Sequence, residues 1–217
     1  MNADALNYIE RPAEGAARGL LVLLHGVGAN ERSLADLALR QDPRLHVVLA
    51  RAPLAFGPGM YGWFQVQFTP AGPVIQPEQA EASRRLLIDF IAQQQARLGI
   101  APERTVVAGF SQGGIMSASV GLTSPASEAG FAILSGRILP EIEPLVPADV
   151  GAHGLRALVI HGRRDGKLPH ALAERSDARL THFGVSHELR SYDADHELTP
   201  AMADDFATWL GQTLRLE

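Results

Sequence analysis

No cysteine occurs among the 217 residues, which excludes disulfides, thiol nucleophiles and cysteine-ligated metal centres. The absence fits a reducing compartment. Long apolar runs are missing too: the longest, GLLVLL at 19–24, falls far short of the roughly 20 residues a membrane-spanning helix needs, so stable membrane insertion is not expected. The opening stretch, MNADALNYIERPAEG, lacks a basic segment followed by an apolar one. No secretory signal is read there, and the expected location is cytoplasmic. Positive charge is scarce: 19 Lys and Arg stand against 24 Asp and Glu, net −5, and no basic cluster exceeds the pair Arg163 and Arg164. Nucleic acid is therefore not an expected partner, since phosphate binding needs concentrated positive charge. No His-Glu-x-x-His or comparable ligand spacing is present, so no metal is expected.

What is present is a globular composition, 46% hydrophobic and 20% charged, in a chain long enough to bury a full core. Short apolar runs at 20–24, 46–50, 105–109, 131–135 and 157–161 read as strands buried on both faces. Residues 188–192 and 6–10 read as edge strands. Helical patterns lie between them at about 31–40, 77–98, 112–122, 168–183 and 199–214. Pro77 with Glu78 opens the second, and Thr199 with Pro200 opens the last. The alternation implies one α/β domain over 1–217, with a mostly parallel sheet and helices on both faces.

The segment from Pro53 to Pro77 stands apart. It holds five prolines, four glycines and the aromatics Phe56, Tyr61, Trp63, Phe64 and Phe68. The expectation is an irregular loop that walls a pocket, with Trp63 and Phe64 lining the substrate site. The alternative is an excursion whose aromatics only cover the core.

The stretch VVAGFSQGGIM at 106–116 places Ser111 between Gly109 and Gly113 where a strand turns into a helix. Gly-x-Ser-x-Gly in that context is the nucleophile-elbow pattern of α/β-hydrolases. The turn holds the serine in a strained conformation beside a helix N-terminus, which favours a developing anion. With eleven serines and 21 glycines, chance supplies about 0.1 such matches, so strand-to-helix placement carries much of the weight.

A serine nucleophile needs a base, and the base an orienting acid. In this fold they follow in the order Ser, acid, His. Asp165 lies beyond the predicted strand ending LVIHG, and His196 lies beyond the strand ending LRSY. Asp193 and Asp195 are nearer to His196 in sequence, but a neighbour rarely aims its carboxylate at the adjacent ring. The remaining histidines read as solvated or structural. The first strand ends in LLHGVGANE, which lacks the third glycine of a dinucleotide loop. It reads instead as an oxyanion loop, with the Val27 N–H as one donor and the N–H of Gln112 as the other. His25 is expected to brace that loop.

Taken together, LLHGVGAN, APLAFG with GWF, VVAGFSQGG, AILSGRI, VIHGRRDGKLP and His196 resemble, in order, the phospholipase/carboxylesterase family of α/β-hydrolases. That family includes bacterial carboxylesterases and acyl-protein thioesterases. The resemblance implies Ser111, Asp165 and His196 as the catalytic triad, with Val27 and Gln112 as oxyanion donors and no cofactor. It implies a small-molecule ester as substrate, with short- to medium-chain acyl groups. An acyl-protein thioesterase or lysophospholipase is the alternative, and a non-catalytic binding scaffold a remote one. A homodimer is compatible with the sequence and not specified by it. The chain departs from the family's usual residues at Gln65, Asp195 and Ala29.

Overall fold

A computed structural model describes residues 6–69 and 72–216. Its strands are β1 (Tyr8–Arg11), β2 (Gly19–Leu24), β3 (Leu45–Ala50), β4 (Leu54–Gly57), β5 (Met60–Gly62), β6 (Val66–Thr69), β7 (Gly72–Ile75), β8 (Thr105–Phe110), β9 (Gly130–Leu134), β10 (Arg156–Gly162) and β11 (Ser186–Tyr192). The helices are α1 (Ala35–Leu39), α2 (Pro77–Leu98), α3 (Gln112–Thr123), α4 (Ala171–His182) and α5 (Pro200–Leu214).

Seven strands form the central sheet in the order β1-β3-β2-β8-β9-β10-β11. All neighbours are parallel except β1 and β3. Period-two alternation buries both faces. In β2, Leu20, Val22 and Leu24 pack into one apolar cluster, while Leu21 and Leu23 pack into the other. Helices α2, α3 and α4 cover the first face, and α1 with α5 covers the second. The two strands expected at the edges, β1 and β11, are the edges.

Two expectations need correction. The pattern at 31–40 forms a helix only over Ala35–Leu39. Asn30 Oδ1 accepts the Arg32 N–H at 3.0 Å and Ser33 Oγ accepts the Asn30 N–H at 3.1 Å, so local side-chain bonds hold a turn where the helix was expected to start.

The larger correction concerns 53–77, which is not irregular. β4 pairs with β5 and β6 pairs with β7, each antiparallel. Glycine and proline punctuate the turns rather than forbid the strands. Pro58 and Gly59 make the two-residue connection of the first hairpin, and Gly59 takes the left-handed φ of +71° that this turn position requires.

Trp63, between the two hairpins, is fully buried in the core cluster of the α2–α3 face. Its Nε1–H donates to the His25 carbonyl at 3.0 Å, so the ring's one polar atom is satisfied. Ser83 Oγ of α2 donates to the Trp63 carbonyl, which ties the segment to that helix.

Behind α3, Glu128 is buried with both carboxyl oxygens unpartnered. A Cβ on Gly121 would lie 2.6 Å from its Oε1 and 2.3 Å from Phe131, so the glycine makes the room in which the acid sits. Burial raises the Glu128 pKa well above the usual carboxylate value.

Two measurements check these assignments. Trp63→Ala is expected to cost about 3–5 kcal/mol of stability, the range for removing a packed core aromatic, read by denaturant unfolding. A loss under about 1 kcal/mol would place the ring outside the core. For Glu128 the sign runs with pH. The unfolded chain ionises this acid above its ordinary pKa of 4.5 while the fold favours the protonated form, so its contribution to stability is complete below that pH and is lost as pH rises. Glu128→Gln should therefore raise the melting temperature more at pH 8 than at pH 4, and a pH-independent difference would show that the carboxyl is solvated.

Candidate active site

The site is built on the turn between β8 and α3. Ser111 adopts φ +53° and ψ −115°, in the left-handed half of backbone space that non-glycine residues avoid. Close packing holds it there. A Cβ on Gly113 would lie 1.9 Å from the Leu24 carbonyl oxygen, and one on Gly109 would lie 2.2 Å from the Gly113 carbonyl carbon. Glycine at both positions lets α3 press its first turn onto the ends of β2 and β8. The Ser111 N–H donates to the Leu134 carbonyl at 2.8 Å, which locks the turn to β9.

Loops after two other strands bring the partners. His196 Nε2 lies 3.0 Å from Ser111 Oγ, and its Nδ1 lies 2.6 Å from Asp165 Oδ2. The Phe110 ring packs against the imidazole, with centroids 5.0 Å apart. Asp165 is buried, and its Oδ1 accepts the backbone N–H groups of Lys167 and Leu168 at 2.9 and 2.8 Å. That leaves Oδ2 for the histidine. The two nearer rivals are engaged elsewhere. Asp195 Oδ1 accepts the backbone N–H groups of Gly166 and His196, which lower its pKa, and Asp193 pairs with Arg164 at the surface.

A second imidazole reaches the same carboxylate. His161, fully buried at the end of β10, places Nε2 at 2.7 Å from the Leu168 carbonyl and 3.3 Å from Asp165 Oδ2. A carbonyl only accepts, so Nε2 carries the proton and Nδ1, which has no partner, is bare. Burial lowers the pKa of His161. Its strand-end position was visible in the sequence, but its contact with Asp165 was not.

Val27 and Gln112 line the cleft with Ser111, and their backbone N–H groups are the expected oxyanion donors. Neither makes a hydrogen bond among the described residues, and Gln112, as the first residue of α3, has no intrahelical acceptor. The Val27 loop is pinned to the first hairpin. Gly28 N–H donates to the Tyr61 carbonyl and Tyr61 N–H to the Ala29 carbonyl, each at 2.8 Å. Beneath it, Arg51 grips buried Glu31 through two hydrogen bonds of 2.7 and 2.6 Å, which lowers the Glu31 pKa to about 2. His25 braces the loop as expected: Nδ1–H donates to the Gly26 carbonyl and Nε2 accepts the Ala52 N–H.

The side chain of Gln112 has a role that sequence reasoning missed. Its Oε1 accepts the Trp63 N–H and its Nε2–H donates to the Phe64 carbonyl, both at 2.7 Å. One amide thus mimics a strand neighbour and fastens the hairpin segment to the start of α3.

Ser111 and His196 open into a cleft of about 880 Å³, whose apolar side includes Leu34, Phe64, Val66, Ile75 and Ile115. Phe64 is among the residues that line it. Trp63 is not: it points into the core, and the expectation that it contacts substrate is corrected here. Both residues sit in the bend between β5 and β6 and both pack in the same core cluster, but only Phe64 also reaches the cleft wall. Arg137 and Lys167 also line the cleft, and neither was singled out from the sequence. Among the described residues no cluster of three or more His, Asp or Glu could hold a metal ion, and no helix is long and apolar enough to cross a membrane.

Comparison with known proteins places the chain in a family and a fold. The chain is 25% identical over 228 residues to acyl-protein thioesterase 1 of Emericella nidulans, covering 95% of each protein. Its structure is similar to that of esterase PE8, with a TM-score of 0.83 at 27% identity, over 97% of this chain and 100% of the other. It is also similar to a carboxylesterase from Mesorhizobium loti, with a TM-score of 0.82 at 24% identity over 97% of each chain. Both neighbours share the α/β-hydrolase architecture described above. Residues 6–214 match the phospholipase/carboxylesterase family, and the chain belongs to that family of ester hydrolases.

Proposed function

We propose that this protein is a serine carboxylesterase that cleaves short- to medium-chain carboxylic esters through an acyl-enzyme on Ser111. The observation that carries the reading is the unbroken series of polar contacts from Ser111 Oγ through His196 to buried Asp165, next to two unengaged backbone N–H groups.

The steps follow from the geometry. His196 Nε2 takes the Ser111 proton as Oγ attacks the ester carbonyl. Asp165 holds the Nδ1–H tautomer and stabilises the imidazolium that forms. The N–H groups of Val27 and Gln112 receive the oxyanion, a contribution of several kcal/mol in comparable sites, about 2.7–4 per donor. Collapse of the intermediate passes the His196 proton to the departing alcohol. Water, deprotonated by the same nitrogen, then releases the acid. Each proton transfer has a residue of this chain to perform it, so the reaction calls on no metal or organic cofactor.

The similarity to acyl-protein thioesterase 1 across nearly the whole chain favours one second reading. A thioester would use the same steps, with a thiolate as leaving group.

Ser111→Ala is expected to keep the fold and lose about 10³- to 10⁶-fold in kcat on p-nitrophenyl butyrate, since the covalent step disappears. Asp165→Asn should lose about 10³- to 10⁴-fold through the wrong histidine tautomer, and Asp195→Asn far less. A fully active Ser111→Ala variant would refute the reading, and a deeper loss in Asp195→Asn would refute the choice of acid. Matched acyl esters and thioesters, compared by kcat/KM, separate the two substrate classes.

A further inference from the structure

The cleft has a charge pattern unlike the rest of the molecule. The chain carries 24 acidic residues and a net charge of −5, yet among the described residues no Asp or Glu lines the cleft, while Arg137 and Lys167 both do. Lys167 is the only lysine in the sequence. Its backbone N–H is fixed to Asp165 Oδ1 at 2.9 Å, which places its side chain at the cleft rim beside the proposed catalytic acid.

Arg137 follows β9, and the preceding residue packs on the serine turn: a Cβ on Gly136 would lie 2.8 Å from the Ser111 carbonyl oxygen. Its Nε is buried with no hydrogen-bond partner, and among the described residues no carboxylate lies within 4.0 Å of its guanidinium. Arg11 also buries a bare Nε, but its Nη2 donates to the Asp42 and Leu45 carbonyls, and the other partly buried arginines are engaged. Arg51, Arg84, Arg179 and Arg190 each hold a carboxylate, and Arg104 donates to the Leu214 carbonyl. Glu141 is the acid whose charge Arg137 feels, and Arg175 and Arg179 oppose it. A partly desolvated guanidinium without a partner is costly, and a carboxylate placed against its planar fork repays that cost through charge-assisted hydrogen bonds.

We propose that the cleft selects esters bearing a free carboxylate, the half-esters of dicarboxylic acids, with Arg137 binding the carboxylate, Lys167 adding to the positive field, and the apolar side holding the methylene chain. This rests on the reading of Ser111 as nucleophile and adds a substrate class to it. The carboxylate takes no part in bond breaking; it positions the ester carbonyl over Ser111.

The test compares monoethyl adipate with ethyl hexanoate, which has the same acyl length without the charge, by kcat/KM on the intact protein. The wild type should prefer the half-ester by at least about tenfold, the factor expected of one charge-assisted contact. In Arg137→Met the preference should fall to about twofold or less, with Arg137→Lys in between and Lys167→Met losing part of it. High salt should erode the preference in the wild type. Binding of adipate itself, measured by calorimetry, reads the charge recognition without cleavage and should weaken about tenfold in Arg137→Met. A wild type that cleaves ethyl hexanoate as well as the half-ester and does not bind adipate overturns the inference and leaves the esterase reading intact. A protein that cleaves neither ester but binds adipate through Arg137 overturns the esterase reading and keeps the anion site.

Discussion

The contact on which the site depends is the approach of the first turn of α3 to the end of β2, where an added Cβ on Gly113 would stand 1.9 Å from the Leu24 carbonyl oxygen. Only glycine lets the helix start there. Because it starts there, Ser111 is forced to φ +53°, a conformation that costs of order 1–3 kcal/mol and persists only when its surroundings over-determine it. The surroundings do so. Gly109 closes on Gly113 from the strand side, Gly136 packs on the Ser111 carbonyl, and the Ser111 N–H is held by Leu134. The same turn makes Gln112 the first residue of α3, whose N–H has no hydrogen-bond acceptor among the described residues.

The remaining polar groups are fixed from behind rather than from the cleft. Two backbone N–H groups and the His161 ring hold Asp165, and Asp165 in turn sets the tautomer of His196. The Val27 loop is held by Tyr61, by His25 and by the Arg51–Glu31 pair. Gln112 fastens the hairpin segment that carries Phe64 into the cleft. A site so arranged pays its ordering cost during folding and can meet substrate with its groups already placed.

Much of this was legible in the sequence because it is encoded locally. Strand runs such as LLVLL and ALVIH carry both-face burial in their composition, and Gly109, Ser111 and Gly113 carry the turn in their spacing. Asp165 and His196 could be placed because each follows a strand, and chain order in this fold assigns their parts. What the sequence hid depends on contacts distant along the chain. The hairpins of 54–75 are punctuated by the residues that made the segment look irregular. Trp63 and Phe64 are neighbours of similar character, both buried in one core cluster, and only the packed structure shows that Phe64 alone also reaches the cleft wall. The bond from the Gln112 side chain to the Phe64 backbone spans 48 residues and has no local signature. Arg137 resembles any surface arginine until the absence of a partner is seen in three dimensions.

Under the proposed esterase reading, glycine-enforced strain at the turn makes Ser111 reactive. That claim is tested most directly by the second-order rate constant for fluorophosphonate labelling of Ser111 in Gly109→Ala, set against Gly121→Ala as a control. Both substitutions force close contacts on α3 or its flanks, but only Gly109 touches the turn, where its Cβ would meet Gly113, whereas that of Gly121 meets Phe131 and Glu128. Labelling of folded Gly109→Ala is expected to fall by at least about 100-fold, as for a reacting group misplaced by an ångström, while Gly121→Ala stays within about threefold of the wild type. Labelling of Gly109→Ala at the wild-type rate, or an equal fall in both variants, would contradict the claim.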